Sequence, residues 1–229
     1  MREVNCTGKA TREINQEIRR LIADGEQEIV VLRPQARHNL GVAILQAVKL
    51  TFAGSVGYYC AGMSDGPSVE IRGSAGWGVA EGMLSGTVTV EQNAGNSAAA
   101  SIRGGTVVVR GSTGARAGIA MKGGTLIIAG NCGYMTGFMM QKGTIIVCGD
   151  AGEALGDSMY AGRIFVGGSI AELGNDAVTH ELTSEDREFL TATLARYGVT
   201  GTPSFKKVIA GRRLWRFDKK EFATWREAL

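Results

Sequence analysis

The sequence predicts an all-β solenoid, a parallel β-helix of about seven 19-residue coils, on three observations. Glycine makes up 34 of the 229 residues, about twice its usual share. The glycines recur on a fixed step: from Gly54, increments of nineteen reach Gly73, Gln92, Gly111, Gly130, Gly149 and Gly168. Each step also carries a short apolar segment, "LTF", "VEI", "VTV", "VVV", "LII", "IIV" or "IFV", beginning at Leu50, Val69, Val88, Val107, Leu126, Ile145 and Ile164. Side chains alternate along a strand, so the first and third residues of each segment share a face, and both are apolar in all seven segments. That is an inward column. Nineteen residues are too few for a strand plus a full crossover helix, but suit one coil of a stacked parallel solenoid.

Residues 1–47 read as a small α/β cap. Ile14, Ile18, Leu21 and Ile22 recur at helical spacing behind Thr11, the predicted N-cap, and Asp24-Gly25 stops the helix. "EIVVL", Glu28 to Leu32, follows as a strand. A solenoid end leaves unpaired strand edges and an open core, so a cap belongs there.

Residues 48–178 hold the repeats. Two further columns keep the nineteen-residue step: Gly57, Gly76, Gly95, Gly114, Gly133, Gly152 and Ala171, then Ala61, Ala80, Ala99, Gly118, Gly137, Gly156 and Asn175. Corners of stacked coils need residues that reach positive φ cheaply or place no Cβ between coils, so these glycines are expected to be structural. Alone, "GTVVVRGSTGARAGIAMKG" from Gly105 to Gly123 would pass for a phosphate loop. It lacks the G-K-[ST] ending and the G-x-G-x-x-G spacing, and its repetition in register points to a corner instead.

Residues 179–229 read as a helical cap and a basic-aromatic tail. Thr183 is the predicted N-cap, with Asp186 three residues on, and the helix places Phe189, Leu190, Leu194 and Tyr197 on one side before Gly198. It is expected to close the last coil. Beyond it, Trp215, Phe217, Phe222 and Trp225 are interleaved with Lys206, Lys207, Arg212, Arg213, Lys219 and Lys220. These aromatics are expected to pack on the solenoid or a partner rather than stack on nucleic acid, because the net charge is only +3.

Composition excludes other classes. No apolar run is long enough for a membrane span and the N-terminus has no signal-like apolar region, so a cytoplasmic location with no membrane and no nucleic acid is expected. Cys6, Cys60, Cys132 and Cys148 form no C-x-x-C pair, and only His38 and His180 are available as histidines.

The tandem G-x-x-G-x-x-x-G units resemble the GXGXG-repeat, right-handed β-helix of the C-terminal domain of the glutamate synthase large subunit, and also the β-helix subunit of formylmethanofuran dehydrogenase. Two stretches are more specific: "GYYCAGM" at Gly57 to Met63 and "GDAGEALGDSMYAGRIFVGGSIAELG" at Gly149 to Gly174. They resemble the free-standing small subunit of N-methylglutamate synthase and glutamate-synthase-like complexes. The resemblance spans roughly residues 30–180. It implies a multi-subunit enzyme in which a class II glutamine amidotransferase subunit with an N-terminal cysteine is joined to an FMN and iron–sulfur synthase subunit. This chain begins Met1-Arg2 and carries no iron–sulfur cysteine cluster. The resemblance therefore implies a non-catalytic scaffold in a hetero-oligomer, with no catalytic, cofactor or metal residues of its own and with FMN and the cluster on a partner. The alternative from a different class is a stand-alone structural or binding solenoid.

One surface feature comes from the residues themselves. The middle, outward position of each strand reads Thr51, Glu70, Thr89, Val108, Ile127, Ile146 and Phe165. Val108, Ile127, Ile146 and Phe165 would form an apolar ladder about 14 Å long, too large to leave in water. The candidate covers are a partner subunit, which makes these four a candidate partner interface, or the chain's own C-terminal segment. Asp150, Glu153 and Asp157 are expected to be turn-capping or solvated carboxylates. Met83, Met121, Met140 and Met159, with Ile102 on the same step, are expected to be a core stripe, and Cys60 a small corner residue.

Overall fold

The computed structural model describes residues 1–201 and 204–211, so Trp215, Phe217, Phe222, Trp225, Arg212, Arg213, Lys219 and Lys220 lie outside the described residues. β1 (Arg2–Asn5) pairs in parallel with β2 (Glu28–Leu32), with α1 (Thr11–Ala23) between them in sequence. From β2 the chain coils through β3 (Lys49–Ala53), β4 (Asp65–Ile71), β5 (Ser85–Val90), β6 (Thr106–Val109), β7 (Lys122–Ile128), β8 (Lys142–Val147) and β9 (Arg163–Val166), each parallel to the one before. The register runs Leu50↔Val69↔Val88↔Val107↔Leu126↔Ile145↔Ile164, which stacks the first residue of every tripeptide on the next. β10 (Ala177–His180) and β11 (Lys206–Ala210) run antiparallel, and β11 lies between β9 and β10. α2 (Ser184–Arg196) falls between those two strands in sequence.

The first and third tripeptide residues are buried in one continuous core from Leu50 and Phe52 to Ile164 and Val166. A second side of each coil brings Val56, Ala75, Ala94 and Thr113, then Cys132, Ala151 and Ile170, into isolated parallel bridges. Met83, Ile102, Met121, Met140 and Met159 line the core, as their spacing predicts. Cys60 is at a corner, as expected. It sits in the turn of residues 58–63, but its side chain is buried in the core on one step with Val79, Ala98, Ala117 and Leu155, and burial pushes its thiol pKa well up.

The glycine columns divide by cause. Those after the strands leave room for side chains of the preceding coil: a Cβ on Gly73 or Gly130 would lie 2.6 Å or 2.5 Å from the hydroxyl of Ser55 or Ser112, and on Gly111, Gly149 and Gly168 it would strike Asn93, Asn131 and Asp150. In the second column, of Gly57, Gly76, Gly95, Gly114, Gly133 and Gly152, the backbone of the coil before stands close at every position, with the His38, Trp77 and Asn96 side chains closer still at Gly57, Gly95 and Gly114. A Cβ on Gly133 would sit 2.8 Å from the carbonyl carbon of Gly114. Positive φ belongs to the third column, at Gly118, Gly137 and Gly156, and to the glycines that open the strands on the same step, Gly86, Gly105, Gly124, Gly143 and Gly162; in the third column it continues beyond the glycines. There Ala61, Ala80 and Ala99 take φ of 56°, 58° and 57°, so alanine bears the left-handed strain in the earlier coils.

Three expectations about the flanks need correction. Coiling begins before residue 48: Ala36, Asn39 and Ala43 already donate backbone hydrogen bonds to Ser55, Tyr58 and Gly62 of the next coil. Thr11 is the first helical residue, and the N-cap is Ala10, whose N–H is taken by the Glu13 carboxylate at 2.7 Å. α1 does close the first coil, burying Ile14 and Ile18 and pinning Asn15 to Asn39 and Gly41. α2 starts at the predicted Thr183–Asp186 capping box, but it lies along the side of the solenoid, because an apolar face was available there.

Candidate functional site

The predicted partner face is occupied by the chain itself. Val108, Ile127, Ile146 and Phe165 are at most 1% exposed and form a second core with Leu190, Leu194 and Val199, flanked by Leu182, Phe189, Tyr197 and Phe205. α2 spans about 20 Å and the ladder about 14 Å, so one helix covers four coils. It runs back along the solenoid: its start is tied to Arg163 of β9, and beyond its end Tyr197 Oη donates to Thr106 Oγ1 of β6 at 3.0 Å. The four ladder residues are thus spent on intramolecular packing, and a partner must use other faces.

Asp186 fixes this arrangement. It is 1% exposed, yet its carboxylate receives Arg163 Nη1 at 2.9 Å, Lys207 Nζ at 2.6 Å and the Thr183 N–H at 3.0 Å. Burial alone would raise its pKa, but the Lys207 ammonium and the Thr183 donors outweigh that and hold it at about 2. The Arg163 guanidinium also stacks 4.3 Å over the Phe189 ring, closing the seam between helix and solenoid. Lys207, read as part of a basic tail, is therefore a structural cation. Lys206 likewise donates to the Gly168 carbonyl.

A second polar device runs along the corner facing the first glycine column. Asn93 Oδ1 accepts from Ser112 N–H at 2.8 Å, Ser112 Oγ from Asn131 N–H at 3.0 Å, Asn131 Oδ1 from Asp150 N–H at 2.8 Å, and Asp150 Oδ1 from Ser169 N–H at 2.7 Å. Each side chain caps the next coil, and each glycine makes the space for it. Asp150 is therefore the turn cap expected of it, and the Ser169 N–H and hydroxyl lower its pKa. Asp157 caps Asn175 N–H in the same way, while Glu153 is exposed. Sequence reasoning missed this ladder, although the same step of nineteen picks out Ser55, Ser74, Asn93, Ser112, Asn131, Asp150 and Ser169. Among the described residues, no three His, Cys, Asp or Glu side chains are grouped to hold a metal ion, and no helix is long and apolar enough to cross a membrane.

The glycine columns decide the family. A sequence profile of the GXGXG motif matches residues 34–213. The chain belongs to the GXGXG-motif family. It is 46% identical over 77 residues to Protein GlxC of Rhizobium meliloti (strain 1021), a match covering 33% of each chain. The match thus spans a third of the curated relative. Among solved structures, this chain is similar to a chain of the formyltransferase/hydrolase complex FhcABCD from Methylorubrum extorquens, solved with methylofuran. The TM-score is 0.66 and the identity 28%, covering 77% of this chain and 69% of that one. The family read from the repeats in the sequence is thus the family found.

Proposed function

We propose that the chain is the non-catalytic β-helix subunit of a glutamate-synthase-type complex, of the glutamate or N-methylglutamate synthase kind, joining a class II glutamine amidotransferase-like subunit to an FMN and iron–sulfur synthase-like subunit. The observation that carries the reading is the GXGXG match across all the coils. The solenoid suits the task physically. Its strands are hydrogen-bonded from β1 to β10 through one sheet over a continuous core, so it is a stiff spacer. A stiff spacer holds two active sites at fixed separation, and ammonia released at the first reaches the second before it equilibrates with water. FMN and the iron–sulfur cluster belong to the partner in this reading.

The likeness to a chain of FhcABCD favours a second reading, the same scaffold role in a complex that handles formyl groups, of the formylmethanofuran-dehydrogenase type. Purification of the native assembly, with mass spectrometry of its subunits and a flavin absorbance spectrum, separates the two. The first reading predicts a flavin-coloured complex with glutaminase activity, and no flavin on the isolated chain. A colourless complex with formyl-transfer activity supports the second. A colourless homo-oligomer contradicts both, and stoichiometric FMN on the isolated chain contradicts a cofactor-free scaffold.

A further inference from the structure

With the apolar ladder covered, charge points to the face that remains. Residues 92–149 contain no aspartate or glutamate but five basic residues, Arg103, Arg110, Arg116, Lys122 and Lys142. Arg110 is paired with Glu91 and bonded to the Gly198 carbonyl. No described acidic residue pairs with the other four. Arg103, Lys122 and Lys142 occupy neighbouring coils at the corner that leads into the strands: Lys122 and Lys142 are register partners, and Lys122 N–H donates to the carbonyl of Ile102, the residue before Arg103. They form a row at about 4.8 Å per coil, close enough for like charges to repel. Leu84, 44% exposed, continues the row by one coil, and Met139, 39% exposed, lies three residues before Lys142.

We propose that this basic, partly apolar corner, centred on Arg103, Lys122 and Lys142, docks a protein subunit that presents a row of aspartate or glutamate side chains around an apolar contact. Three observations fix that occupant. The row has no acidic partner among the described residues, so an acidic surface is its electrostatic complement. The sequence after Gly211 is itself basic, with six Lys and Arg against three Asp and Glu, and a second copy meeting this face with its own across a two-fold axis would bring the same positive belt, so neither is the complement. Exposed Leu84 in the row, with exposed Met139 in the turn before Lys142, suits a protein contact, whereas a nucleic acid backbone needs only the charges. The inference rests on the scaffold reading only for which subunit supplies the acids.

The test compares the full chain with the R103Q/K122Q/K142Q variant, which removes the charges without touching the core and should melt at the same temperature or slightly higher. Both are titrated with the amidotransferase-like and synthase-like subunits of the same organism at low and high salt, and separately with poly-L-glutamate and a single-stranded RNA oligonucleotide. The wild type should bind poly-L-glutamate, and the variant should lose about tenfold or more in both poly-L-glutamate binding and subunit association, with a flatter salt dependence. Equal subunit association by the two proteins overturns the inference, as does preference of the wild type for RNA over poly-L-glutamate or failure to bind poly-L-glutamate at all. If the wild type binds poly-L-glutamate through these residues yet neither subunit associates, the docking face stands and the glutamate-synthase-type assignment falls.

Discussion

The first three coils and the last four share an inward code and differ in the outward one. Phe52, Ile71 and Val90 are as fully buried as Val109, Ile128, Val147 and Val166, and in the same core. Outward, the early coils show Thr51, Glu70 and Thr89, and the later ones Val108, Ile127, Ile146 and Phe165. α2 lies only on the later ones. The inward column thus specifies the solenoid, and the outward column specifies what attaches to its side. Glu70 shows the other solution to an outward position: it is bonded to Arg72 at 2.9 Å and needs no cover.

The largest expected effect comes from breaking the covered half. Ile127→Thr with Ile146→Thr removes two fully buried side chains from beneath α2 and should cost about 3–5 kcal/mol in a denaturant melt, with α2 loosening before the strands. Gly133→Val tests the shared corner. Its Cβ would lie 2.8–2.9 Å from Gly114 and Ala115 backbone atoms, which cannot swing aside, so a loss of about 2–3 kcal/mol is expected. The φ of Gly133 is not positive, so close approach of the coils is the whole cause.

Asp186→Asn addresses the clasp. Because the folded pKa is depressed to about 2, the clasp's contribution is fully present above the unfolded value of about 3.9 and fades as pH falls towards 2, a total of about 2 kcal/mol. The Asn variant should therefore be less stable at pH 7 by a similar amount and lose less on acidification between pH 4 and pH 2, measured by parallel melts. A wild-type melt as steady as the variant's across that range would show that the carboxylate is not paired as described. The smallest effect is Thr89→Ile. It extends the ladder one coil beyond the part α2 covers, so the melt should move by no more than about 0.5 kcal/mol.

What was legible in the sequence follows from where the information lies. The inward column and corner glycines are set by a period of two within a step of nineteen, and both survive in one dimension. The α2 capping box was legible too, because Thr183 and Asp186 are three residues apart and act locally. The direction α2 takes was not. Its anchors, Arg163, Asp186 and Lys207, lie on three elements, and nothing local in the sequence joins them. The left-handed turns at Ala61, Ala80 and Ala99 were hidden because alanine, unlike glycine, gives no sign of positive φ.

Amide hydrogen exchange of the isolated chain tests the central claim that the apolar ladder is closed from within. Peptides from α2 should be protected in the wild type without any partner, and should exchange much faster in the Ile127→Thr, Ile146→Thr variant while strands β3 to β5 keep their protection. Unprotected α2 amides in the isolated wild type, becoming protected only when a partner subunit is added, would contradict the claim and return Val108, Ile127, Ile146 and Phe165 to the interface.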